Sequence, residues 1–273
     1  MYEAYFGFRE KPFHVTADPA FLYPSREHQE AMSHLLYGIR ERLGFIMITG
    51  EVGTGKTTLA KTLIGRLEGP ARSALILNPT LSATQLLRAM LRDFGVEEPD
   101  NGHPRTRSRS ELLVAIEGFL LRQAEESGNA VLIIDEAQAL SVSTLEQVRL
   151  LSNVETAKRK LLQIVLIGQP ELDQRLARDP RLRALQQRIA VRYQIQPLSR
   201  QEVAEYVRHR LQVAAAPGEA LHFTEEALDA ITQISGGIPR RINRLCDQAL
   251  LAGFVRESKQ IDESMIKQEE KVS

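Results

Sequence analysis

The sequence predicts a three-layer α/β sandwich around a five-stranded parallel sheet, followed by a small helical domain. Three observations carry this. Residues 131–135 read Val-Leu-Ile-Ile-Asp, four apolar residues in a row, as in a strand buried on both faces of a parallel sheet. Residues 45–58 read as strand, glycine loop and helix, and further strands alternate with helices down to Pro197. Beyond Pro197 no strand pattern remains, and apolar residues recur at helical spacing. The expected division is an α/β domain over 1–198, with an aromatic arm at its start, and a helical lid domain over 199–273.

Taken in order, the arm comes first. Tyr2, Tyr5, Phe6, Phe8, Phe13, Phe21 and Tyr23 crowd the first 26 residues of a chain that is only 5% aromatic. Pro12, Pro19 and Pro24 forbid a long helix there, so an extended arm packed across the core of the α/β domain is expected. Packing is favoured over stacking on a base. An amphipathic helix over 27–43 follows, with Ala31, Leu35, Ile39 and Leu43 on one face. After the strand, loop and helix of 45–67 come a buried strand at 73–78 and a helix at 81–94. The segment 97–109 is polar, holds Pro99, Gly102 and Pro104, and places arginines at 105, 107 and 109; a surface loop is expected. Ser108 and Glu111 form a capping box for a helix to 126. The strand ending at Asp135, a helix at 144–154 and strands at 161–168 and 191–195 complete the sheet. Ser199 and Glu202 cap a helix to 213, Thr224 opens another, and Ile238, Ile242, Leu245, Ala249 and Ala252 form the stripe of a third.

Bulk properties narrow the function classes. The 273 residues carry 35 basic and 35 acidic side chains, a net charge of zero, which argues against a surface that grips nucleic acid or an anionic membrane as a whole. The single cysteine, Cys246, cannot form an internal disulfide and lies in an apolar helical pattern, which fits a core residue and a reducing compartment. No apolar run approaches the length of about 18 residues that a spanning helix needs. The charged N-terminus is unlike a signal peptide. The six histidines show no zinc-ligand spacing.

Residues 50–57, Gly-Glu-Val-Gly-Thr-Gly-Lys-Thr, fit the phosphate-loop pattern G-x-x-x-x-G-K-[ST] in its required context. Gly50, Gly53 and Gly55 let the backbone curl so that N–H groups face phosphate oxygens, with Glu51, Val52, Thr54 and Thr58 completing the loop. The helix N-terminus adds its dipole. Lys56 supplies a point charge for the β- and γ-phosphates of ATP, and Thr57 a hydroxyl for Mg²⁺. Asp135 ends a buried strand, where ligands bind in α/β sheets, and its carboxylate suits the same Mg²⁺. Glu136 follows and can orient a water. Gln169 lies just past the fourth strand; with that strand beside the first, its amide would lie near the γ-phosphate. Arg188, with Arg183 and Arg192 as competitors, precedes the fifth strand and could serve a neighbour's site in a ring. Arg240 follows Gly-Gly-Ile-Pro and could link the helical domain to the nucleotide.

Together these features resemble an AAA+ P-loop ATPase over essentially the whole chain. Residues 1–13 (Met-Tyr-Glu-Ala-Tyr-Phe-Gly-Phe-Arg-Glu-Lys-Pro-Phe), 18–31 (Asp-Pro-Ala-Phe-Leu-Tyr-Pro-Ser-Arg-Glu-His-Gln-Glu-Ala) and 161–172 further resemble the cytoplasmic ATPase region of the ExeA/GspA family, which serves assembly of the type II secretion pore. The resemblance implies an Mg²⁺-dependent ATPase that forms homo-oligomers and works with a GspB/ExeB-like partner. It implies a cytoplasmic location, at the inner membrane if the chain is the cytoplasmic part of a longer protein. It assigns phosphates and Mg²⁺ to Lys56 and Thr57, Mg²⁺ and water to Asp135 and Glu136, sensor 1 to Gln169, the arginine finger to Arg188 and sensor 2 to Arg240. Longer family members continue into a transmembrane helix and a peptidoglycan-binding domain, which this sequence lacks, so it is either a cytoplasmic fragment or a short paralogue. Two rival readings share the core: a DNA-bound ATPase regulator like those of transposition, and a nucleotide-dependent switch with negligible turnover.

Overall fold

The computed structural model describes residues 1–67, 71–77, 80–96, 107–157, 159–215 and 221–270. In chain order the elements are α1 (Tyr2–Phe6), α2 (Arg26–Arg40), β1 (Phe45–Gly50), α3 (Lys56–Arg66), β2 (Ala71–Ile76), α4 (Ala83–Asp93), α5 (Arg109–Glu125), β3 (Asn129–Ile134), α6 (Val142–Leu151), β4 (Leu162–Gly168), α7 (Pro170–Arg178), α8 (Arg183–Gln186), β5 (Ile189–Ile195), α9 (Arg200–Ala214), β6 (His222–Phe223), α10 (Glu225–Ser235), α11 (Pro239–Val255), β7 (Gln260–Ile261) and α12 (Glu263–Glu270). They divide into two units: an α/β unit of residues 30–50 and 59–195, and a helical unit of residues 1–29, 51–58 and 196–273.

In the α/β unit the five long strands form one parallel sheet in the order β2-β3-β4-β1-β5. The period of two decides how each strand is covered. Along β3, Leu132 and Ile134 join one core with α4, α5 and α6, through residues such as Leu86, Met90, Ile116 and Leu145. Val131 and Ile133 join a second core with Leu35 and Ile39 of α2 and Leu59 and Leu63 of α3. All four β3 side chains are fully buried, each contributing about 1.5–3 kcal/mol. This gives the three expected layers. Strand β5 lies at the sheet edge, and its alternate residues Ala190, Arg192 and Gln194 are exposed.

The helical unit packs Val203, Val207, Ile231, Ile242, Cys246 and Leu250 into one core. Cys246 is fully buried, which pushes its thiol pKa well up and suits an inert packing residue. Two expectations change here. Tyr2, Phe6 and Phe13 of the arm belong to this core rather than to that of the α/β unit. The arm also opens with the short helix α1, closed by Gly7 in the left-handed conformation. Aromatic clustering signals burial but does not name the surface that receives it. Second, β6 and β7 pair in parallel as a two-stranded sheet, although no strand pattern was expected past Pro197. Two residues are too few to show alternation. The capping boxes at Ser108–Glu111 and Ser199–Glu202 are present as expected. Residues 97–106 of the expected surface loop, with Arg105, lie outside the described residues.

Arg210 anchors the arm to the helical unit. It is 5% exposed and donates from Nε to the Pro12 carbonyl at 2.6 Å and from Nη2 to the His14 carbonyl at 2.9 Å. Its guanidinium carbon lies 4.5 Å from the Phe21 ring centroid. Burial pushes its pKa down, and among the described residues carbonyls and rings hold the charge. Truncation strands two acceptors, so Arg210→Ala is expected to cost about 2 kcal/mol in urea unfolding without moving the denaturant slope.

Candidate nucleotide site

The loop between β1 and α3 belongs to the helical unit. Gly53 and Gly55 sit at φ +90° and +91°, a region that residues with a Cβ rarely adopt, and Gly50 ends β1 as a strand residue. The Glu51 carbonyl gathers the turn, accepting from Thr54 N–H at 3.3 Å, Thr54 Oγ1 at 2.9 Å and Lys56 Nζ at 2.8 Å. Thr54 and Lys56 are buried, at 0% and 5% exposure, while Glu51 and Val52 face solvent. Helix α3 begins at Lys56, and first-turn N–H groups have no acceptor within their own helix. A buried ammonium at a helix N-terminus, beside a turn of positive-φ glycines, is a cradle for an anion of phosphate type.

Two outside groups hold the loop backbone. Arg240, in the first turn of α11, donates its N–H to the Gly53 carbonyl at 3.1 Å. A Cβ on Gly53 would lie 2.5 Å from the Arg240 Cβ. Arg240 therefore touches the loop through its backbone, and its side chain is exposed. His28 lies 2.9 Å from the Thr54 carbonyl through Nε2.

In the α/β unit, the carboxyl ends of β3, β4 and β1 share one edge, with β4 between the other two. Gln169, directly after β4, thus follows a strand that pairs with β1, as the sequence reading required. Asp135 is 1% exposed; its N–H donates to the Ile76 carbonyl at 2.9 Å, and Oδ1 accepts the Glu136 N–H at 2.9 Å. A buried carboxylate at this edge is a hard oxygen ligand of the kind Mg²⁺ prefers, so the donor chemistry fits the ion. Glu136 stands at φ 51°, a left-handed conformation that costs about 1–2 kcal/mol for a residue with a Cβ. Such strain concentrates at functional positions.

The Glu136 carboxylate is bracketed. Its Oε2 accepts from Gln138 Nε2 at 2.5 Å and from Gln169 Nε2 at 3.2 Å. Gln138 Oε1 in turn accepts the Gln169 N–H at 3.1 Å. Arg175 donates to the carbonyls of Gln138 and Leu140, at 3.0 and 2.7 Å, and fixes the turn that carries Gln138. Sequence reasoning missed Gln138 and His28. Gln138 stands two residues past Glu136, a spacing that no periodicity explains, and a polar residue so close to an acidic strand end was the available signal.

Arg188 is engaged within its own unit. Its Nη1 donates to Ser152 Oγ at 2.8 Å and to Asn153 Oδ1 at 2.5 Å. Arg192 pairs with Asp173 at 2.5 Å. The Arg183 side chain is exposed and, among the described residues, makes no hydrogen bond or ion pair.

Residues 39–176, half of the chain, match the family described as AAA domain. The chain belongs to the AAA family. It is 46% identical over 261 residues to general secretion pathway protein A of Aeromonas hydrophila, an alignment covering 96% of this chain. The resemblance read from the arm and the fourth strand thus extends along nearly the whole AAA chain, which spans 46% of that relative's length. Solved structures share the fold at low identity. The ORC2 protein of Aeropyrum pernix superimposes with TM-score 0.68 at 17% identity, covering 96% of this chain and 71% of that one. Cdc6p of Pyrobaculum aerophilum gives 0.65 at 18%, covering 95% and 68%. RuvB of Thermotoga maritima gives 0.56 at 16%, covering 92% and 70%. Among the described residues no helix is long and apolar enough to cross a membrane.

Proposed function

We propose that the chain is an Mg²⁺-dependent ATPase whose hydrolysis serves assembly of a type II secretion-like envelope complex. The observation that carries the ATPase reading is the loop itself: positive-φ Gly53 and Gly55 leading to buried Lys56 at the start of α3, in a member of the AAA family. The loop amides and Lys56 bind the phosphates, and Gly50, Glu51, Val52, Thr54 and Thr58 shape the loop. Thr57 and Asp135 would hold Mg²⁺, which would supply positive charge to the phosphates. Glu136 takes the proton of the attacking water, and Gln169 orients that water as sensor 1. Residues 199–273 act as a lid, with Arg240 as sensor 2. The secretion role rests on the likeness to that general secretion pathway protein A and on the extent of the alignment. It carries with it a GspB/ExeB-like partner and a cytoplasmic place at the inner membrane.

Homo-oligomerisation lets Arg188 act on a neighbour's ATP. To do so it must leave Ser152 and Asn153, and exposed Arg183 is the competitor that needs no such release. The deciding experiment is ATP hydrolysis against protein concentration, with and without duplex DNA. The expected result is a specific rate that rises with concentration, is indifferent to DNA and loses its rise in Arg188→Ala. A rise kept in Arg188→Ala and lost in Arg183→Ala would move the finger to Arg183. Strong stimulation by DNA would replace the secretion reading with a DNA-bound regulator.

Gln138 holds the proposed base by one oxygen and leaves the other to meet water. Gln138→Leu is therefore expected to lower kcat about tenfold with KM for ATP unchanged, read by steady-state phosphate release. Equal changes in both constants would contradict a positioning role.

A further inference from the structure

The segment that opens α2, Pro-Ser-Arg-Glu-His at 24–28, has no part in the chemistry proposed above. Yet Ser25 and His28 are both buried, at 0% and 6% exposure. His28 Nε2 lies 2.9 Å from the Thr54 carbonyl, and a carbonyl can only accept, so Nε2 carries the proton. In the neutral ring Nδ1 is then an acceptor, and Ser25 Oγ donates to it at 2.6 Å. The same Ser25 Oγ accepts the His28 N–H at 3.3 Å, as a helix N-cap does. Burial lowers the His28 pKa, with the Thr54 carbonyl, Glu27 and Glu202 opposing, so the neutral ring is favoured. A Cβ on Gly55 would stand 2.9 Å from His28 Nε2, which gives Gly55 a second reason to be glycine besides its φ.

The peptide between Thr54 and Gly55 is trans, since no cis bond occurs among the described residues, and a trans peptide is planar. In such a unit the carbonyl and the following N–H point in opposite directions. A ring that holds the Thr54 carbonyl on one side therefore aims the Gly55 N–H to the other. Among the described residues that N–H has no protein acceptor. We propose that His28 is a positioning residue for the phosphate loop, fixing the Thr54–Gly55 peptide so that the Gly55 N–H is presented to a nucleotide phosphate. Ser25 sets the ring's tautomer and orientation, and the N-terminal arm thereby becomes part of the nucleotide site's support. The inference rests on the nucleotide-binding reading above.

The test is binding of a fluorescent ATP analogue with Mg²⁺ to the whole chain, alongside thermal unfolding without nucleotide. His28→Leu removes the donor and is expected to weaken binding about tenfold, whereas His28→Gln, whose amide reaches a similar point, stays within about threefold of wild type. A residue that only supported the fold would lower the melting temperature without separating the two variants in affinity. A folded His28→Leu protein with wild-type affinity, or His28→Gln as weak as His28→Leu, overturns the proposal. Nitrogen NMR of the wild-type histidines decides it independently of how the variants fold. The expected spectrum has a neutral ring protonated at Nε2 whose resonance shifts on adding the analogue; an Nδ1-protonated ring, or one blind to the analogue, overturns the proposal. If wild type binds no analogue while His28 shows the expected tautomer, the nucleotide reading has failed and not the ring geometry.

Discussion

Glu136→Gln is expected to bind ATP as the wild type does and to hydrolyse it about a thousandfold more slowly. The substitution keeps the shape of the side chain and an oxygen to accept from the amides of Gln138 and Gln169, which lie 2.5 and 3.2 Å from the carboxylate. It removes only the capacity to take a proton. Glu136 directly follows Asp135, in a backbone conformation that costs energy unless the surroundings enforce it. Arg175, on the carbonyls of Gln138 and Leu140, supplies part of that enforcement. Because Glu136 is absent from the loop that takes the phosphates, the change should fall on kcat and leave affinity alone. Equilibrium binding and single-turnover hydrolysis, measured on the same preparation, separate the two. A variant that turns over at the wild-type rate would take Glu136 out of the chemistry and remove its support for turnover over a nucleotide-dependent switch.

The parts of this fold that repeat were legible, and the parts that depend on one contact were not. The four apolar residues before Asp135 announced a strand covered on both faces, and Leu132 and Ile134 do face one core while Val131 and Ile133 face the other. The capping boxes at Ser108 and Ser199 were legible because a cap is a local bond between residues three apart. The phosphate loop was legible because a φ near +90° strongly favours glycine, and Gly53 and Gly55 are so placed. By contrast, Gln138 and His28 each reach one partner on a distant segment, Gln169 and Thr54, and a lone polar residue has no period to betray it. The destination of the arm was hidden for a related reason. Tyr2, Phe6 and Phe13 declare that they will be buried, but Arg210 and the carbonyls of Pro12 and His14 help to fix where. The short β6–β7 pair, two residues in each strand, is made by tertiary structure and leaves no sequence pattern.

Lys56→Met should separate binding from folding in the opposite sense to an ordinary core mutation. Lys56 is 5% exposed and its Nζ donates to the Glu51 carbonyl at 2.8 Å. Holding an ammonium out of water is costly, and methionine keeps most of the stem's volume without the charge. Without nucleotide, the variant should therefore melt no lower than wild type. With ATP the order reverses. Each charge-assisted hydrogen bond from lysine to phosphate is worth about 1.5–3 kcal/mol, or roughly ten- to a hundredfold in affinity. With the β- and γ-phosphates both served by one ammonium, a loss of about a hundredfold is expected. Ligand at a hundred times Kd raises stability by about 2.7 kcal/mol, so an ATP concentration that stabilises wild type by this amount would stabilise the variant by only about 0.4 kcal/mol. Thermal unfolding with and without Mg²⁺-ATP reads both effects in one series. A variant that melts low without nucleotide yet gains the full wild-type increment with it would show Lys56 to be a structural residue. The loop would then be a strand-to-helix turn with an incidental lysine, and the ATPase reading would lose the observation that carries it.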